Sequence, residues 1–79
     1  MWSTWDIERT IKEWVMEAGI PDLRLVTYRY NHGVLDIYTT KPGYMIGLRG
    51  VLINKYSEIF KKNVRNFKIV EMHEVVGLV

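Results

Sequence analysis

Residues 40–62 read T-K-P-G-Y-M-I-G-L-R-G-V-L-I-N-K-Y-S-E-I-F-K-K, and their reading decides the fold. Gly47 and Gly50 enclose Leu48 and Arg49, and Met45 and Ile46 lead in. Leu52, Ile53, Tyr56, Ile59 and Phe60 then recur at spacings of three and four, which predicts an amphipathic helix over 51–62. Lys61 and Lys62 suit the negative end of that helix dipole. Upstream, Lys41-Pro42-Gly43 breaks whatever precedes it. Residues 44–46 fit one short helical turn that Gly47 ends, and Gly50 frees the chain to start the next helix.

Working outward, Leu23, Leu25, Val26, Tyr28 and Tyr30 predict a strand. Asn31-His32-Gly33 makes a tight turn, and residues 34–39 are the return strand. Leu35 and Ile37 point to one face; Val34, Asp36 and Tyr38 point to the other, which Asp36 marks as wet. Tyr28, Tyr30 and Tyr38 read as cross-strand partners holding the hairpin, with base stacking as the competing role. His32 reads as a solvated turn histidine, with no second ligand at metal-binding spacing.

Further upstream, Ser3 and Asp6 fit a capping box with Asp in the usual place of Glu. Ile7, Ile11, Trp14, Val15 and Ala18 form one apolar stripe on a helix of about four turns. Gly19 stops it and Pro21 prevents continuation. Trp5 and Met16 fall on the opposite, polar side, as isolated surface residues or as a partner-facing patch. Downstream, residues 63–66 connect to a strand over 67–72, with Phe67 and Ile69 alternating against Lys68 and Val70. The tail, 73–79, is mostly apolar. It either extends the last strand or pairs edge to edge with another copy or a partner.

Seventy-nine residues make one domain, with its core at about 4–72. Apolar residues are 48% of the chain, enough for a small core without staples. The absence of cysteine excludes disulfides and thiolate metal sites, and neither a metal site nor a cofactor is expected. Net charge is +2, which permits a nucleic-acid partner without requiring one. No apolar run approaches the ~20 residues of a membrane span, and no leader pattern opens the chain, so a soluble cytoplasmic protein is the expectation. No nucleophile–base pair and no nucleotide fingerprint can be assembled, so no enzyme is expected.

The chemistry of the glycine loop follows from its residues. Glycines let backbone approach a phosphodiester chain where a Cβ would collide. Amide groups at the start of the following helix, with its positive dipole end, favour phosphate. Arg49 adds a forked cationic donor, and Lys41 and Lys55 flank it.

The element order is helix, strand, strand, short helix, glycine loop, helix, strand. This α+β arrangement resembles the type II KH domain of bacterial RNA-binding and ribosomal proteins. Three stretches carry the resemblance: Ala18-Gly19-Ile20, Lys41-Pro42-Gly43, and Ile46-Gly47-Leu48-Arg49-Gly50 followed by Ile53. It covers residues 4–72 and implies an α-β-β-α-α-β fold, with a three-stranded sheet and three helices on one face. It also implies a clamp on about four nucleotides of single-stranded RNA, or of single-stranded DNA. Ile46 and Ile53 would floor an apolar groove beside the loop. Family loops often hold two polar or basic residues between the glycines, whereas Leu48 here is apolar. The competing reading is a KH-fold protein-interaction module using Leu48, Trp5, the outer-face tyrosines and the tail, as an oligomer or with another protein.

Overall fold

A computed structural model describes residues 2–76. In chain order the elements are α1 (Thr4–Glu17), β1 (Val26–Asn31), β2 (Val34–Thr39), α2 (Pro42–Ile46), α3 (Val51–Asn63) and β3 (Ile69–Glu74). Two helices exceed three turns, and α2 is five residues long. The sheet is mixed. Its order is β1-β2-β3, with β1 antiparallel and β3 parallel to the central β2.

Helix α1 begins where the sequence predicts. The Asp6 carboxylate accepts the Ser3 backbone N–H at 3.0 Å and the Ser3 hydroxyl at 3.1 Å. The stripe Ile7, Ile11, Trp14 and Val15 is buried, together with Thr10. Gly19 ends the helix at φ +79°, and Ile20 turns back into the core. Trp5 and Met16 stand in solvent. On β2, Leu35, Ile37 and Thr39 are fully buried, and the alternate residues Val34, Asp36 and Tyr38 are half-exposed. The helices' buried residues and that inner face form one core. Each large apolar side chain withdrawn there contributes about 1.5–3 kcal/mol of transfer free energy.

Three expectations are corrected. Leu23–Leu25 is a 3-10 turn rather than the start of a strand. The Asp22 carboxylate accepts the Arg24 backbone N–H at 2.9 Å, and this local bond bends the chain before β1. Secondly, Tyr28 and Tyr30 are not outer-face residues. They lie opposite Ile37 and Leu35 and pack on the core, leaving Tyr38 as the tyrosine of the outer face. Thirdly, β3 starts at Ile69 and runs to Glu74, two residues later than predicted. Phe67 reaches the core from the preceding loop, stacked between Phe60 and Tyr30. Gly33 C=O accepts both the Lys68 and Ile69 N–H groups. That pairing sets Ile69 beside Val34 and Val70 beside Leu35, so Val70 is buried and Ile69 is exposed. Beyond β3, Val75 N–H donates to Thr39 C=O at 2.9 Å, continuing the strand by one bond. The remainder of the apolar tail, 77–79, lies outside the described residues. Among the described residues, no helix is long and apolar enough to cross a membrane.

One polar knot ties the three helices. The Trp14 indole N–H donates to Met45 C=O at 2.8 Å, joining α1 to α2. The Trp14 ring stacks on Tyr56 of α3, with centroids 5.1 Å apart and planes within 8°. The Tyr56 hydroxyl donates to Glu17 at 2.7 Å, and the Lys55 ammonium donates to both Glu17 oxygens at 2.8 and 3.0 Å. These two donors hold the Glu17 carboxyl below the ordinary glutamate range. Burial, with the bond to Glu17, pushes the Tyr56 phenol up. A depressed carboxyl adds stability that is complete above its unfolded value of ~4.3 and is lost as pH falls through the folded value. The melting temperature should therefore fall as pH drops from ~5 toward 3. Glu17→Gln should flatten part of that fall, leaving the share that Asp6 and Asp22 contribute through their own lowered values. Thermal melts followed by circular dichroism across this range check it; an identical pH slope in the variant contradicts it.

Candidate nucleic-acid interface

Pro42, with its fixed φ, opens α2 at a position where its missing N–H costs nothing. Gly47 then closes the helix at φ +78°, ψ +171°, a region open essentially to glycine alone. A Cβ at this position would also stand 3.0 Å from Leu52. Gly47 is thus required by the protein's own packing, independently of any ligand. Arg49 and Gly50 follow in the left-handed region, at φ +56° and +77°. Gly50 N–H donates back to Gly47 C=O at 3.0 Å, making a single tight turn. A Cβ at Gly50 would meet nothing nearer than 3.5 Å.

This turn delivers the chain into α3 with Gly50 as its N-cap and no side chain accepting the first amides. The Val51 N–H, first in the helix, donates back to Leu48 C=O, and no side chain accepts the amides that follow it at the positive end of the dipole. Arg49 is exposed on the turn and forms no ion pair with a described carboxylate.

The flanking cations are differently placed. Lys55 is committed to Glu17. Lys41 holds its ammonium 5.3 Å from the centroid of the Tyr44 ring, a cation–π contact beside α2. Of the two groove residues, Ile53 packs against the core and Ile46 is half-buried. The apolar surface that does reach solvent lies on the turn itself and on the helix residues flanking it. Leu48 is 82% exposed, Val51 59% and Tyr44 53%. Leu48, Arg49, Val51 and Asn54 line a shallow depression of about 530 Å³. Tyr44, Val51 and Asn54 were missed in the sequence. The spacing 48, 51, 54 was there to be read, but only the turn geometry puts those positions on one outward face.

A second group is assembled by the fold and not by any local pattern of residues. On the outer sheet face, His73 Nε2 lies 2.7 Å from Asp36 Oδ1, and the His73 ring stacks on Tyr38 at 4.8 Å. Glu71 completes a set of three donor groups within 4.8 Å of one another. The parallel register of β2 and β3 assembles it by pairing Asp36 with Glu71 and Tyr38 with His73. His73 and Glu71, two apart on β3, each lie 35 or more positions from Asp36, so no spacing rule brings the three together.

The chain matches no protein-family model, no curated protein and no solved structure. The residues therefore carry the functional reading.

The two glycines should respond unequally to a methyl group. Gly47→Ala meets both a forbidden backbone region and Leu52, and should cost about 2–4 kcal/mol. Gly50→Ala meets only the left-handed penalty of about 1–2 kcal/mol. Urea unfolding at constant slope measures both; equal losses would contradict the contact at Gly47.

Proposed function

We propose that this chain is a single-stranded nucleic-acid-binding module of the type II KH kind, with RNA as its ligand. The observation that carries the reading is the conformation of residues 47–50. A glycine-hinged turn projects Arg49 outward at the uncapped start of α3. Phosphate meets a guanidinium and the positive end of a helix dipole in one place. The α-β-β-α-α-β order, with the turn between α2 and α3, supports the same reading. Beside the turn, Leu48, Val51 and Tyr44 offer apolar surface on which bases can rest. With Lys55 held by Glu17 and Lys41 set back over the Tyr44 ring, one guanidinium supplies the charge on the turn itself. Affinity for a short strand is accordingly weak, and its salt dependence is shallow. A cytoplasmic ribonucleoprotein setting is part of this proposal.

A protein-interaction module is the second reading, favoured by the 82% exposure of Leu48. It loses the support of Tyr28 and Tyr30 as outer-face residues, since both are half-buried on the core side of the sheet.

Fluorescence anisotropy with short single-stranded RNA pools at low and moderate salt separates the two. The nucleic-acid reading expects binding with a log–log salt slope of about −1, as one or two phosphates require. It also expects a loss of tenfold or more in Leu48→Asp/Arg49→Asp. No binding by the wild type, or an unchanged affinity in the double variant, would sink it in favour of a protein partner.

A further inference from the structure

The far end of α3 carries a second cationic surface. Lys61 and Lys62 close the helix, Arg65 and Lys68 lie in the connection to β3, and all four are exposed. None pairs with a described carboxylate, whereas Arg9, Lys12, Arg24 and Lys55 each do. The four border two adjoining depressions that share Arg65 and Asn66, the larger about 670 Å³. No carboxylate lines either one. Tyr30 and Phe67, stacked on each other with ring planes within 1° and centroids 6.3 Å apart, line the larger depression as a half-buried aromatic wall whose accessible side is the part left by their packing on the core.

The surface is held in shape. Lys68 N–H donates to Gly33 C=O at 2.8 Å, and a Cβ on Gly33 would stand 2.6 Å from Asn66 C=O. The hairpin turn and the α3–β3 connection are thus locked together. Lysines at a helix end offset its dipole, which accounts for Lys61 and Lys62. It does not account for Arg65 and Lys68, which lie beyond the helix, or for the exclusion of carboxylates from the cleft.

We propose that this cleft is a second contact for single-stranded nucleic acid. Its cations take phosphates, and a base lies against the Tyr30–Phe67 wall, the pairing of charge and aromatic surface that such strands require. The proposal builds on the reading of the 47–50 turn as the first contact. The two surfaces sit at opposite ends of α3, ~20 Å apart at 1.5 Å per residue. A tetranucleotide has three bridging phosphates, two steps of sugar-phosphate backbone that fall short of this separation even when drawn out, whereas the eleven of a dodecanucleotide exceed it. Only the longer strand reaches both.

The test compares labelled tetra- and dodecanucleotide RNA across a salt series. Wild type, Lys61→Glu/Arg65→Glu and Leu48→Asp/Arg49→Asp are measured side by side. The cleft variant should bind the tetranucleotide as wild type does and bind the dodecanucleotide at least tenfold more weakly. Its salt slope for the longer strand should be shallower by about 1–2. Wild-type affinity and slope for the dodecanucleotide would overturn the cleft. If the loop reading alone is wrong, the loop variant keeps tetranucleotide binding while the cleft variant still loses the longer strand. Lys61→Gln/Arg65→Gln, expected to lose about half as much slope, serves if charge reversal disturbs the fold in a circular dichroism melt.

Discussion

The hydrogen bond from the Trp14 indole to Met45 C=O is the constraint on which the rest of the structure depends. Helix α2 is only five residues long, too short to persist by its own backbone bonds. It keeps its place because a buried donor from α1 reaches into its last turn. Trp14 is itself fixed from the other side by its stack on Tyr56, so α1, α2 and α3 share one point of reference. Met45 stands two residues before Gly47. The position of the glycine turn is thus set by a core contact rather than by the turn's own sequence. An unmade bond at Met45 would leave a buried carbonyl without a partner, at about 1–3 kcal/mol.

That knot also decides which charges are available. Glu17 takes both Lys55 and the Tyr56 hydroxyl, so one of the cations nearest the turn is spent on joining helices. Four cations without an ion pair among the described residues, Lys61, Lys62, Arg65 and Lys68, gather at the other end of α3, beside Tyr30 and Phe67. In the proposed reading, binding is thereby divided between the two ends of one helix. Its start offers Arg49 and apolar surface; its end offers charge density. Binding strength built this way grows with the length of the strand, because a second contact on the same molecule acts at high effective concentration.

Much of the fold was legible because its signals were local. The capping residues Ser3 and Asp6, the stripe of α1, the alternation of Leu35 and Ile37, and the glycines around Leu48 each declare themselves within a few positions. What was not legible depended on pairing. Tyr28 and Tyr30 alternate as outer residues would, and only the register with Ile37 and Leu35 turns them inward. The strand after α3 was misphased because Phe67 is apolar yet precedes the ladder, and the shared acceptor at Gly33 sets the phase. At the candidate site, the turn and Arg49 could be read directly. The commitment of Lys55 to Glu17 could not, because 38 positions separate them. A comparable separation hid the meeting of Asp36 with Glu71 and His73.

The direct measurement is a heteronuclear NMR titration of the labelled amides with a single-stranded RNA tetranucleotide. Binding at the glycine turn predicts that the amides of Gly47, Leu48, Arg49, Gly50 and Val51 shift first and furthest, with the Arg49 guanidinium moving alongside. Shifts centred on Tyr38 and His73 of the outer sheet face, or no shifts at saturating RNA, would contradict it.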